Sequence, residues 1–386
     1  MTAPLRIAVV AGEESGDLLG VDLVAALSEL SGRPVTLVGV GGRHLRGAGL
    51  DPLFDGSEIA LMGVSAVVRD MPRLIRRIGH TAQAIVAAKP DCLVTIDVPD
   101  FSLRVAKKVR AIDPSIPIVH YVCPSVWAWR PGRAPAMRPY VDRILCLLPF
   151  EPDALDRLGG PAGTYVGHRL TTHPGIVAAA ASQASRSPGD IKNLLVLPGS
   201  RQSEVRRLLG SFGETVRLLA ARGNDFTVGI PTVPHVAQLV EEGTANWSVK
   251  PKIISDETGK WTAFGAADAA LAASGTVSLE LALSRVPLIS CYRADPIFGP
   301  VLMRMITSWT GSLPNLVVDW PVVPEYYDAQ IRPERLAREI EQLWAKTPSR
   351  DAQLSGLRSV AERMETRFPS GKLAAEAVFH EISNRN

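Results

Sequence analysis

Short apolar runs alternate with stretches of helical periodicity along most of this chain, and that alternation limits the fold more than any other feature. Ile7–Ala11, Val35–Val40, Cys92–Ile96 and Ile118–Val122 read as buried strands, each followed at once or one residue later by glycine, proline or an acidic turn. Thr164–Val166, Leu194–Leu197, Phe226–Ile230, Lys252–Ile254 and Pro287–Cys291 continue the pattern. Strands alternating with helices at this spacing build an α/β fold with parallel, doubly wound sheets. In such sheets ligands bind beyond the carboxyl ends of the strands, so chemistry is expected from the residues at those ends.

The sharpest such end is LLVLPGSRQSEVRR, Leu194–Arg207. Four apolar residues stop at Pro198-Gly199-Ser200, and Val205, Leu208, Leu209, Phe212, Val216 and Leu219 then recur at helical spacing. A strand, a glycine turn and a helix start bring free backbone N–H groups and a positive dipole end to one point. Arg201 stands there with a planar guanidinium suited to a phosphate or diphosphate. An ordinary turn with an exposed arginine is the competing reading. Ser274-Gly275-Thr276 opens a later helix, and Glu280, four residues after Thr276, shares its face. A carboxylate there accepts from a ribose diol, or simply complements the positive helix end.

In the first half, Gly12 to Asp17, Asp97 and His120 lie at or near strand ends. The first turn is not GxGxxG, so it carries no dinucleotide fingerprint; Gly12, Ser15, Gly16 and Asp17 read as a crevice or as a tight turn only. PSVWAWRPGR, Pro124–Arg133, sets Trp127 and Trp129 among prolines and arginines. Such rings either pin the loop to its own domain or meet a ligand, with Arg130 beside them.

At 386 residues the chain has room for two domains, and a net charge of +3 gives no ground for nucleic-acid binding. Cys92, Cys123, Cys146 and Cys291 form no CxxC pair and read as reduced, buried thiols of a cytosolic protein. No secretion signal and no apolar run long enough to span a membrane are visible. Met71, Leu74, Ile75 and Ile78 form a helical stripe flanked by Arg69, Arg73, Arg76 and Arg77, and Val301–Ile306 with Trp309 forms a second apolar segment. Each fits a helix lying on an anionic lipid surface, although for either one alone a helix facing the core is the commoner arrangement. The weakly patterned stretch after Thr171 reads as a linker.

VAGEESGDLLG (Val10–Gly20), IDVPDF (Ile96–Phe101), HYVCPSVWAWR (His120–Arg130), LPFE (Leu148–Glu151), GH (Gly167-His168), LPGSR (Leu197–Arg201), ASGTVSLELAL (Ala273–Leu283) and LPN (Leu313–Asn315) together resemble the lipid-A-disaccharide synthase family. Where that family often carries Glu and Asp, this chain has Ala66 and the pair Thr171-Thr172. The resemblance implies an inverting, metal-independent GT-B glycosyltransferase with two Rossmann-like domains around a cleft. Residues 1–170 form the acceptor-side domain, 171–192 the linker and 193–345 the UDP-sugar domain. Residues 346–386 are closing helices that pack on the first domain or are exchanged within a homodimer.

The implied reaction joins UDP-2,3-diacylglucosamine to 2,3-diacylglucosamine 1-phosphate (lipid X) at the cytoplasmic face of the inner membrane. No cofactor is expected, the UDP-sugar being a substrate. On this reading Asp97 is the first choice of base, with Asp100 and His120 behind it; the other role for Asp97 is to fix its own proline turn. Gly199, Ser200, Arg201, Ser274, Gly275 and Thr276 take the diphosphate, Glu280 the ribose, and Asn315 an amide contact to the nucleotide. Other readings keep the donor half: a diverged GT-B paralogue, an enzyme of the UDP-N-acetylglucosamine epimerase kind, or a transferase with a soluble acceptor; a non-enzymatic reading is a nucleotide-binding scaffold without turnover.

Overall fold

The computed structural model describes residues 3–56, 71–186, 189, 191–295, 299 and 304–385, with the side chains of 71 and 72 outside that description. It divides into two compact units, Met1–Arg169 with Thr366–Asn386, and Leu170–Glu365. Each holds a six-stranded parallel sheet.

The first sheet is built from β1 (Leu5–Ala11), β2 (Val35–Val40), β3 (Cys92–Ile96), β4 (Ile118–Tyr121), β5 (Arg143–Cys146) and β6 (Ala162–Tyr165), in the order β2-β1-β3-β4-β5-β6. Every residue of β3 is buried, because helices cover both faces of the sheet. Leu19, Leu23 and Leu27 of the helix Glu14–Ser31 and Ala374, Ala375 and Val378 of the helix Ser370–Ser383 pack on one face. Leu74, Ile78 and Ile85 of the helix Met71–Ala88, with Phe101 and Val105 of the helix Pro99–Ile112, pack on the other.

That packing corrects one expectation. Leu74, read as a membrane contact, is 4 % exposed and belongs to the core. An apolar stripe at helical spacing is what a helix needs to seat on a sheet, and here it does so. Ile75 is 55 % exposed, Arg73 and Arg76 are exposed, and the Arg77 guanidinium lies 4.5 Å over the Phe54 ring. The Met71 side chain, Ala66, Arg69 and Val301–Met303 lie outside the described residues. Among those described, no helix is long and apolar enough to cross a membrane.

The second sheet comprises β7 (Lys192–Leu197), β8 (Phe226–Pro231), β9 (Lys252–Ile254), β10 (Ala269–Ala273), β11 (Leu288–Tyr292) and β12 (Glu325–Tyr327), in the order β12-β11-β10-β7-β8-β9. The stretch read as a linker contains a helix, Pro174–Ala184, within this unit. Its alanines favour the helix, the His173 imidazole accepts from the Gly175 N–H at 3.2 Å, and Ile176 and Ala179 are buried. Gln183 ties it down by donating to the carbonyls of Phe264, Gly265 and Ala267. The closing helices divide as well: Pro348–Met364 belongs to the second unit and Ser370–Ser383 to the first.

Candidate active site

Each sheet reverses its winding at one place, and part of the predicted set gathers there, with His120, Asn315, Trp127 and Trp129 placed elsewhere. In the second unit the switch lies between β7 and β10, where Leu197 pairs with Ala272. The turns leaving these strands, Gly199 to Arg201 and Ser274 to Thr276, line one cavity of about 430 Å3 together with Glu280 and Lys260. Gly199 has φ +116°, and a Cβ there would fall 2.5 Å from a Glu204 carboxylate oxygen, so only glycine fits.

The N–H groups at this turn are not free, as the sequence had suggested. Those of Ser200 and Arg201 point at Glu204 Oε2 at 3.2 and 3.3 Å, and the Arg201 guanidinium donates to Oε1 at 2.9 Å. Glu204 stands three residues into the helix Gln202–Ala221 and closes a capping box. An internal carboxylate thus occupies the seat suited to an anion. Arg201 itself is 79 % exposed along its side chain.

Asn315 plays a different part from the one expected. It is buried, and its Oδ1 accepts from the N–H groups of Val322 and Val323 at 2.9 and 2.8 Å. Its amide donates to Glu325 at 2.9 Å and to the Val323 carbonyl at 3.0 Å. With its side-chain groups committed, it braces the loop before β12 and has nothing left for a nucleotide.

In the first unit the switch lies between β1 and β3, where Ala11 pairs with Ile96. Gly12 and Ser15 follow β1, and Asp97 follows β3. Asp97 and Val98 both take left-handed backbone angles, φ 52° and 45°, which is unfavourable for a β-branched residue. The corner is pinned: the Asp97 N–H donates to the Tyr121 carbonyl at 2.9 Å, and the Ser102 hydroxyl donates to the Asp97 carbonyl at 2.6 Å. Burial pushes the Asp97 carboxyl above the ordinary carboxylate range, partly offset by the Val98 N–H donating to Oδ1 at 2.8 Å.

Neither of the other candidate bases matches this placement. His120 has no exposed surface; burial and the Arg133 charge push its imidazole down to about 3, and its Nδ1 shares a 2.8 Å hydrogen bond with the Thr95 hydroxyl. It is a neutral core residue, out of a substrate's reach. Asp100 is exposed and paired with Arg133 at 2.5 Å.

Asp17 is structural too. Its buried carboxylate accepts from Gly42 and His44 N–H groups, both at 2.7 Å, and so holds the start of the helix Arg43–Gly47. Gly16 is buried against Ile96, where a Cβ would meet its Cγ2 at 3.3 Å. Trp127 is pinned to its own unit, donating from Nε1 to Glu151 at 3.2 Å and packing edge-on to Phe150. The Trp129 ring lies under the Arg130 guanidinium at 4.2 Å and remains half-buried.

The fold also brings Cys123, Cys146 and Glu151 together, with ligating atoms all within 4.8 Å, a grouping no sequence spacing announces. Glu151 is already held by N–H groups of Leu147 and Leu148, both at 3.0 Å, and its carboxyl is pushed by burial up to about 7. The neighbouring Cys146 side chain and burial together raise the Cys123 thiol, so Cys123 stays protonated within a packed polar knot.

A model of the lipid-A-disaccharide synthetase family matches residues 7–378. A lipid-A-disaccharide synthase of Rhodopseudomonas palustris (strain HaA2) is 46 % identical over 371 residues, covering 96 % of this chain and 94 % of that one. The chain belongs to this family. A member from Rhodospirillum centenum is 41 % identical over 386 residues, covering 99 % and 96 %. Among solved structures, Acinetobacter baumannii MurG matches with a TM-score of 0.60 at 11 % identity, covering 98 % of this chain and 100 % of that one. A Neisseria meningitidis UDP-GlcNAc 2-epimerase bound to UDP-GlcNAc matches at 0.59 and 10 %, covering 99 % and 100 %. At such identities the likeness speaks for the fold, two Rossmann-like units of the GT-B type. The family is one of glycosyltransferases.

Glu204 and Lys260 also line the cavity at the second unit's switch point, and neither belongs to the family motifs named from the sequence. Glu204 was detectable from its capping-box spacing to Arg201. Lys260 lies in a helix with no motif around it, and only the fold brings it to the cavity.

Proposed function

We propose that the chain transfers 2,3-diacylglucosamine from UDP-2,3-diacylglucosamine to lipid X, forming the β-1,6-linked disaccharide 1-phosphate and releasing UDP. The observation that carries this reading is the cavity at the second switch point, where two glycine turns, Arg201 and Glu280 converge. Asp97 accepts the proton of the acceptor's 6-hydroxyl as that oxygen attacks the anomeric carbon. The bond to UDP breaks with its electrons on the diphosphate, and the configuration inverts. Arg201, turning from Glu204 to the diphosphate, and the helix start at Ser274 to Thr276 stabilise the leaving charge without a metal, and Glu280 accepts from the ribose hydroxyls.

The direct test is incubation of the purified chain with both acylated sugars and mass analysis of the products. Equal amounts of disaccharide 1-phosphate and UDP are expected. UDP-sugar epimerisation, or UDP binding with no turnover, would overturn the reading.

We further propose that the enzyme works as a peripheral protein on the cytoplasmic side of the inner membrane. Exposed Ile75 with Arg73 and Arg76, and exposed Met305, Ile306 and Trp309, support this. Acylated substrates reside in a bilayer, and docking raises their local concentration. Neutralising Arg73, Arg76 and Arg77 together is expected to lower partitioning onto anionic vesicles by about 10²-fold, at roughly 1 kcal/mol per basic residue. Equal partitioning would refute the docking surface.

A further inference from the structure

Among the described residues, two cations line the donor cavity, Arg201 and Lys260. Arg201 stands in a recognisable turn, whereas Lys260 comes from the helix Glu257–Ala266, outside every motif. Its ammonium lies 2.7 Å from Glu280 Oε2, with the two side chains 27 % and 17 % exposed. Glu280 Oε1 has no hydrogen-bond partner among the described residues.

Lys260 is held from behind by aromatic rings. Its Nζ lies 4.3 Å from the Trp261 ring centroid and 5.6 Å from that of Phe264. Trp261 is itself wedged: His173 packs on it at 4.9 Å, and a Cβ on Gly175 would fall 2.2 Å from its Cδ1. The ammonium is therefore confined between a braced aromatic face and one oxygen of Glu280.

We propose that Lys260 is a positioning residue of the nucleotide pocket. It clamps Glu280 Oε2, leaving Oε1 to accept from the ribose hydroxyls. It also compensates the Glu280 charge, which would otherwise repel an incoming diphosphate in the same cavity. This rests on the donor-site reading above.

The test is calorimetric titration of the full chain with UDP, together with steady-state kinetics on the UDP-sugar. Lys260→Met is expected to weaken UDP binding by about tenfold and to raise KM in parallel, with kcat within about threefold of wild type. Lys260→Arg should restore binding to within about threefold, since the charge and reach are kept. Lys260→Met combined with Glu280→Gln should bind UDP within about twofold of Glu280→Gln alone, because the two act through one contact. Lys260→Gln serves as the neutral variant if the methionine melts early.

A folded neutral variant that binds UDP as wild type does would overturn the proposal, as would multiplying effects in the double variant. Wild-type protein that binds no UDP would overturn the donor-site reading and this proposal together.

Discussion

Replacing Asp97 by asparagine is expected to lower kcat by about 10²–10⁴-fold, the range typical of a lost general base. Binding of UDP should be unchanged, because Asp97 belongs to the first unit and the cavity proposed for UDP is lined wholly by the second. The pH dependence has a definite sign. A base must be ionised, and burial raises the Asp97 carboxyl above the ordinary range. The acid limb of the wild-type rate profile is therefore expected at higher pH than an exposed aspartate would give, and asparagine should remove it.

Stability should move the other way. A carboxyl whose folded pKa is raised favours the fold while protonated, and that contribution is lost as pH rises through the folded value. Near neutrality the wild type carries a buried charge that asparagine does not. The variant is therefore expected to melt above wild type at neutral pH while turning over far more slowly. Retained turnover would exclude Asp97 as the base, and a lowered melting temperature would contradict the burial argument.

Replacing Arg201 by alanine is expected to lower kcat by about 10²–10³-fold, equivalent to ~2.7–4 kcal/mol of transition-state stabilisation. Arg201 pairs with Glu204, but its side chain is 79 % exposed. Solvent-screened pairs of this kind are worth about 0–1 kcal/mol, too little to hold the guanidinium against a diphosphate. Lysine at this position should recover only part of the rate, since it offers a point charge instead of a planar fork. Binding of uridine, which lacks the diphosphate, should be unaffected by the alanine change. Unchanged turnover in a folded variant would remove Arg201 from the mechanism.

The strands of this fold were legible where the sheet is covered on both faces, since such strands appear as unbroken apolar runs; Cys92–Ile96 and Leu194–Leu197 are examples. β10 was harder to read, because Ala269–Ala273 is composed of helix-favouring alanine and leucine and becomes a strand by insertion between β7 and β11. The helix Pro174–Ala184 was hidden for the opposite reason. Its alanine-rich surface carries little contrast between buried and exposed faces.

Among site residues, those on turns after strands were legible because topology alone places them. Those decided by side-chain partners were not. His120, Asp17 and Asn315 are polar residues in suggestive positions, yet each is held by groups that lie 25 (Thr95), 25 to 28 (Gly42, His44 and Leu45) or 7 to 10 (Val322, Val323 and Glu325) positions away. A sequence does not reveal whether a polar group's bonding capacity is already filled.

The left-handed corner at Asp97 and Val98 bears on how this protein tolerates change. Two consecutive residues in that conformation cost on the order of 1–3 kcal/mol each, supplied by the surrounding sheet. Substitutions that let the corner relax would make a sturdier protein with a less well aimed carboxylate. Selection for heat resistance alone should accordingly drift toward softening this bend, and selection for turnover should restore it.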